Sequence, residues 1–271
     1  MSLDNRTEAR VMDEDEIRDG SSSAPKVYSA PALEKGLDIL EALSNSEVAL
    51  TQKELSAVLG RSVSEFYRML SCLVRREYVA NYQDKFSITT KLFRLAQIHP
   101  PTRRLITEAM PIMQELARQV DHSCDLRVYN QGSQTVIASV EAPSGIGFAV
   151  KVGSEIAVAP TASGRVLVAF QDPEIMELRM RESMASSSPS EIKAFRRDVH
   201  EAAVKGFASI DSHQYAGVHA VSFPVLDNNR HAIAAVTVPM LPRVDGVPQM
   251  SLRNVEETMR QSVLRLSERI G

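Results

Sequence analysis

Residues 50–90 read LTQKELSAVLGRSVSEFYRMLSCLVRREYVANYQDKFSITT. The segment has the pattern of a compact helix–turn–helix followed by a two-stranded wing. Thr51 is placed to cap a first helix, with Glu54 three residues on as the acidic half of a capping box. Leu55, Val58 and Leu59 supply its apolar stripe, and Gly60 ends it where a left-handed residue costs least. Ser62 or Ser64 caps the next helix. Its spacing buries Phe66, Leu70, Leu73 and Val74 and turns Ser64, Tyr67, Arg68, Ser71 and Arg75 outward. Residues 78–82 and 86–90 are rich in aromatic and β-branched types and flank a turn at Gln83, Asp84 and Lys85, which predicts a hairpin. Upstream, Leu33, Leu37, Leu40 and Leu43 carry the spacing of a preceding helix.

A polar, cationic helix face of this kind suits a DNA major groove. Ser64, Tyr67 and Arg68 are the candidates for bases and nearby phosphates. The Arg68 guanidinium is the strongest, because its fork matches two acceptors of guanine. Arg61 and Lys85 are placed to meet phosphates, with Thr51, Gln52, Ser62 and Glu65 at the two helix starts completing the set. Residues 50–104 hold ten Lys/Arg against four Asp/Glu, although the 271-residue chain as a whole carries a net charge of −3. The winged segment is thus a basic island, the electrostatic footprint that phosphate binding needs. Three-helix units with a hairpin also serve as protein–protein modules, and on the residues alone that alternative stays open.

Residues 1–30 are polar, with three Arg against seven Asp/Glu in the first twenty and a serine run before Ala24. They are expected to be a disordered tail. The winged unit is assigned to residues 31–90 and a helical linker to 91–120, interrupted at His99, Pro100 and Pro101 and restarting at Thr102, with Pro111 as a kink or second restart. Residues 121–271 change to an α+β pattern. Strands are expected at 125–130, 135–140, 148–152, 207–210, 218–226 and 232–238. Helices are expected at 162–170, 174–181, 190–205 (capped by Ser190) and 252–270. No apolar run approaches a membrane span, and no signal-peptide pattern opens the chain. Cys72 and Cys124, the only cysteines, fall in unlike settings and read as reduced thiols of a cytoplasmic protein.

Several separated stretches are similar to one known family. They are Leu33-Glu34-Lys35-Gly36-Leu37, Tyr67-Arg68-Met69-Leu70, Leu73-Val74-Arg75-Arg76-Glu77-Tyr78-Val79, Ala159-Pro160-Thr161-Ala162-Ser163-Gly164-Arg165 and the run from Gly217 to Val225. In this order and spacing the chain from Ala32 onward resembles the IclR family of bacterial transcriptional regulators. The resemblance implies an α+β protein with an N-terminal winged helix–turn–helix, a linker helix and a GAF-like effector-binding domain. It also implies a homodimer or dimer of dimers on double-stranded operator DNA. The family's recognition helix usually opens on a Pro-Lys-Ser-Thr-like run, whereas Ser62-Val63-Ser64-Glu65 stands here. An Arg-Cys pair frequent in the late strand is replaced by His219-Ala220.

The same resemblance places a small effector between the sheet and the loop entering the 162–170 helix, where backbone N–H groups favour a carboxylate. Ala162 and Ser163 match those donors, and Asp211, Ala220 and Thr237 match strand positions facing the ligand. His219 lies on one side of its strand or the other. Asp125, Arg127 and Tyr129 alternate onto one strand face, read as solvated or as a dimer contact. No G-x-S-x-G elbow, H-E-x-x-H or C-x-x-C spacing or phosphate loop is present, so the residues point to no catalyst and no cofactor. A metal site built from His213, His219 and Cys124 stays as a minor alternative. The expected function is a ligand-responsive regulator, a repressor in preference to an activator, with an organic acid as effector. The alternatives are a sensory or interaction module without DNA and a metal- or small-molecule-handling protein.

Overall fold

The computed structural model describes residues 29–98, 100–144 and 147–271, so the expected disorder of the tail falls outside the described residues apart from Ser29 and Ala30. Contacts divide the chain into two units, Met1–Leu92 and Phe93–Gly271.

In the first unit α1 (Pro31–Ser44), α2 (Gln52–Leu59) and α3 (Val63–Arg75) precede a sheet of β1 (Leu50–Thr51), β2 (Val79–Tyr82) and β3 (Lys85–Ile88). The wing has three strands rather than two, in the order β1-β3-β2, because Leu50 pairs opposite Phe86 at the entrance to α2. Thr51 and Glu54 form the predicted capping box, and Gly60 closes α2 in the left-handed conformation. Ile39, Leu43, Leu55, Phe66, Leu70, Val79 and Phe86 make the core, each large side chain contributing ~1.5–3 kcal/mol on burial. Leu73 and Val74 are only half-buried at its edge. In α1 only half of the leucine stripe faces the core: Leu43 is buried with Ile39 and Leu40 packs against them, whereas Leu33 is 64% and Leu37 48% exposed. At 3.6 residues per turn, Leu33 and Leu37 lie about 120° and 160° round the helix from Ile39 and form a second apolar face. Gln83 and Asp84 both have positive φ, the two-residue turn whose twist matches paired strands. Lys85 is therefore the first residue of β3, opposite Tyr82 and Thr51.

Helix α4 (Lys91–Ile98) spans the boundary in sequence. Helix α5 (Pro100–Val120) begins two residues before the expected cap Thr102. Pro100 and Pro101 occupy the first turn, where a missing N–H has no intrahelical acceptor to lose. The helix continues through exposed Pro111 without a restart. Ala109, Ile112, Met113 and Leu116 are buried along it, and their packing outweighs the single backbone bond that proline forgoes.

The second unit is built on a six-stranded antiparallel sheet in the order β6-β5-β4-β9-β8-β7. The strands are β4 (Cys124–Asn130), β5 (Ser133–Val140), β6 (Glu155–Ala157), β7 (Ala208–Asp211), β8 (His219–Leu226) and β9 (Ala232–Met240). Helices α5 and α9 (Leu252–Ile270) cover one face over Met113, Leu116, Leu126, Val236, Met259 and Leu266. Helix α6 (Ala162–Ala169) covers the other, backed by α7 (Pro173–Ser183) and α8 (Pro189–Lys205). The strand expected at 148–152 is absent. That segment is a loop drawn against β5 by bonds from Gly153 N–H to Val136 O and from Val136 N–H to Ser154 O. Pairing with β5 starts only at β6. Ser188, not Ser190, caps α8, because Pro189 suits the first helical position and Glu191 closes a capping box. No helix among the described residues is long and apolar enough to cross a membrane.

Candidate functional site

Two features carry chemistry, one in each unit. In the first, α3 presents Ser64, Glu65, Tyr67, Arg68, Ser71 and Arg75 to solvent on one side and buries Phe66 and Leu70 on the other. Ser62 is its cap. The Ser62 N–H and hydroxyl both donate to Glu65 Oε2, at 2.8 and 2.6 Å. These bonds hold the Glu65 carboxyl below its ordinary range. The acidic residue that departs from the usual helix opening is thus occupied in starting the helix. Glu54 is likewise held low by Thr51, at a distance of 2.8 Å from both its N–H and its hydroxyl. Arg61 is tied to Asp38 of α1 at 2.5 Å, while Arg68 points outward from the middle of α3. Gln52 is half-buried at the start of α2, and Lys85 is exposed at the wing.

In the second unit a cleft of about 760 Å³ opens between the sheet, the start of α6 and two loops. Ala162, Ala220 and Thr237 line it. Ser163 is fully buried at its edge, where its hydroxyl accepts from Arg127 Nη1 at 3.0 Å. Thr161 caps α6, accepting from the Gly164 N–H at 3.0 Å and from Gln134 Nε2 at 2.7 Å. The N–H groups of Ala162 and Ser163 lie in the first turn, where no intrahelical acceptor exists. Gly164 lets the helix approach the chain before it: a Cβ there would lie 1.9 Å from the Val158 carbonyl oxygen.

Arg127 is the cleft residue that sequence reasoning misplaced. Asp125, Arg127 and Tyr129 do share a face, but it is the interior face beneath α6, neither solvated nor a contact between copies. Asp125 is 1% and Arg127 6% exposed. The guanidinium holds both carboxylate oxygens of Asp125, through Nε and, at 2.9 Å, through Nη2. Phe148 and Tyr215, from separate loops, meet edge to face across the cleft with centroids 5.0 Å apart. Neither carried a motif; only their aromatic character could have drawn notice.

Asp211 and His219 are not brought to this cleft. They point to the α9 side of the sheet edge and line a second cavity of about 590 Å³. His219 Nδ1 lies 2.7 Å from Asp211 Oδ1, and Nε2 lies 2.9 Å from Ser209 Oγ. The order is that of a serine–histidine–carboxylate relay, but the Asp211 side chain is 94% exposed, whereas the orienting carboxylate of such a relay is buried. Cys124 is buried against Met113 O, and desolvation pushes its thiol up to about 12, so it is inert. The cluster of His213, His219 and Cys124 does not form: among the described residues no three such side chains come together to hold a metal.

Sequence comparison then decides the family. Residues 32–81 match the IclR helix-turn-helix domain, and residues 101–268 match the bacterial transcriptional regulator IclR C-terminal domain. The chain belongs to the IclR family. The HTH-type transcriptional repressor AllR of Escherichia coli K12 is 20% identical over 229 residues, covering 82% of this chain and 84% of that protein. The regulator KdgR of the same strain is 26% identical over 233 residues, covering 83% and 84%. An IclR homolog of Microbacterium hydrocarbonoxydans, solved with 4-hydroxybenzoate, superposes with a TM-score of 0.72 at 18% identity, covering 88% of this chain and 98% of that one. The two-part architecture is that of IclR structures. The chain is a DNA-binding regulator of transcription and not an enzyme.

Proposed function

We propose that this IclR-family regulator is an acid-responsive repressor, acting in the cytoplasm as a homodimer whose paired α3 helices read an operator. The observation that carries the reading is the exposed face of α3, with Arg68 and Tyr67 at its centre and its acidic residue engaged by the Ser62 cap. Arg68 reads base edges. Ser64, Tyr67 and Lys85 contact nearby bases and phosphates, and Thr51, Gln52 and Ser62 add polar contacts where the two helices start. Arg61, already paired with Asp38, serves phosphate binding less than Lys85 does. Arg68→Ala is expected to weaken operator binding by ~1–3 kcal/mol while random duplex loses less. Equal losses on both, measured by fluorescence anisotropy at one salt concentration, would reduce Arg68 to a phosphate contact.

The effector is a small organic acid, its carboxylate received by the Ala162 and Ser163 N–H groups, with Ala220 and Thr237 on the sheet side. The Microbacterium homolog complexed with 4-hydroxybenzoate supports an acid as the effector. The acid acts by binding one state of the regulator better than the other, because equal affinity would shift nothing. Dimerisation draws on the second apolar face of α1. Leu33 and Leu37 stand in water there, and one winged unit alone buries too little DNA surface for tight specific binding. Leu37→Glu is expected to give monomers in sedimentation velocity and to lose at least tenfold in operator affinity. A dimeric Leu37→Glu protein would remove α1 from the interface.

A further inference from the structure

We infer that the Asp125–Arg127 pair is the specificity element of the cleft, selecting an aromatic acid with a single carboxylate against acids carrying two; the inference rests on the effector reading above. Arg127 lines the cleft and lies beside the α6 N-terminus, where Nη1 donates to Ser163 Oγ at 3.0 Å. Three of its five N–H groups are committed to Asp125 and Ser163. The remaining two leave room for one planar acceptor. Asp125 already cancels the charge of Arg127, so the floor of the cleft is neutral before any ligand arrives. One carboxylate brings one negative charge, which the first-turn N–H groups and the end of the α6 dipole can offset. A second carboxylate at the same end meets no further cation on the floor, and an uncompensated buried charge is strongly disfavoured. Lys151, exposed at the rim, is matched in charge by exposed Glu155 of the same lining and does not alter that balance. The body of the ligand meets Ile156, Ile210, Val218 and the edge-to-face pair Phe148 and Tyr215. Such walls accept a flat ring in stacked or edge-on contact.

Benzoate and phthalate are the probes, because they share the ring and differ by one adjacent carboxylate; cyclohexanecarboxylate tests the ring itself. Isothermal titration of the full chain is expected to show benzoate binding at least tenfold more tightly than either of the others. Asp125→Asn removes the cancelling charge and is expected to reverse the order, raising phthalate affinity at least tenfold. The double variant D125N/R127Q keeps shape and neutrality and is expected to lose benzoate binding while keeping a cooperative thermal transition of the regulatory unit, which shows that this unit is folded. Equal or tighter binding of phthalate by the wild type overturns the inference, as does benzoate binding by D125N/R127Q within twofold of the wild type. Binding of none of the three also overturns it. Release of operator by other acids would then show that the broader effector reading survives, and silence across a wide panel of acids would show that both fail.

Discussion

Gly164→Ala is expected to unfold the regulatory unit and leave the winged unit intact. The new methyl would stand 1.9 Å from the Val158 carbonyl oxygen, 2.5 Å from its carbon and 2.8 Å from Val158 Cα. All three are backbone atoms with no rotamer to change. Val158 is 1% exposed and packed against Val168, Met180 and Phe195. Its carbonyl accepts the Thr161 hydroxyl at 2.9 Å, and the same hydroxyl caps α6 at the Gly164 N–H. Relief therefore requires the helix to move away from the bend at Val158, which breaks the cap and opens the cleft together. Ordinary overpacking costs ~1–3 kcal/mol; a backbone collision belongs in the exceptional range above about 4 kcal/mol. At about 2–4 °C of Tm per kcal/mol for a unit of this size, the regulatory transition should fall by roughly 10 °C or disappear. Differential scanning calorimetry checks this, and a transition within about 2 °C of the wild type would show that α6 approaches the chain less closely than described.

Arg127→Ala has the next largest effect. It leaves the Asp125 carboxylate 1% exposed beneath α6 with its guanidinium partner gone and Ser163 without a donor. Breaking a buried pair by removing one partner costs ~3–5 kcal/mol, whereas replacing both partners with neutral groups is often close to neutral. The comparison is therefore between Arg127→Ala and D125N/R127Q in urea unfolding of the regulatory unit. The single variant should lose several kcal/mol and the double less than half as much. Equal losses would mean that the pair contributes through packing rather than through its charges.

The two units differ in how much of them could be read from the chain. The winged unit is specified locally. Thr51 and Glu54 lie three residues apart, Gly60 ends a helix by its own conformational freedom, and Phe66 and Leu70 lie one turn apart. Pattern reading found all of them. It missed β1 because two residues carry no periodicity, and the leucine spacing of α1 did not separate buried Leu43 from exposed Leu33 and Leu37, because an apolar stripe does not say which of two partners it meets. The regulatory unit depends on contacts between distant segments. Alternation showed that Asp125 and Arg127 share a face but not that α6 covers it, since that depends on Val158 and Gly164, more than thirty residues later. Phe148 and Tyr215 lie in loops whose meeting no local rule anticipates. His219 went to the opposite side from Ala220, as neighbours in a strand must, and took Asp211 with it. Of the strand positions proposed to face the effector, Ala220 and Thr237 therefore line the cleft and Asp211 does not.

The central claim is that a basic winged helix reads a particular DNA sequence under the control of an acid-binding domain. Binding of the purified full chain to duplex DNA from immediately upstream of its own gene tests it most directly, titrated first with salt and then with a panel of small organic acids. The account predicts saturable binding that prefers this DNA over random duplex, falls steeply with salt, and is weakened by at least one acid. Equal affinity for random duplex at physiological salt, unmoved by any acid, would contradict it.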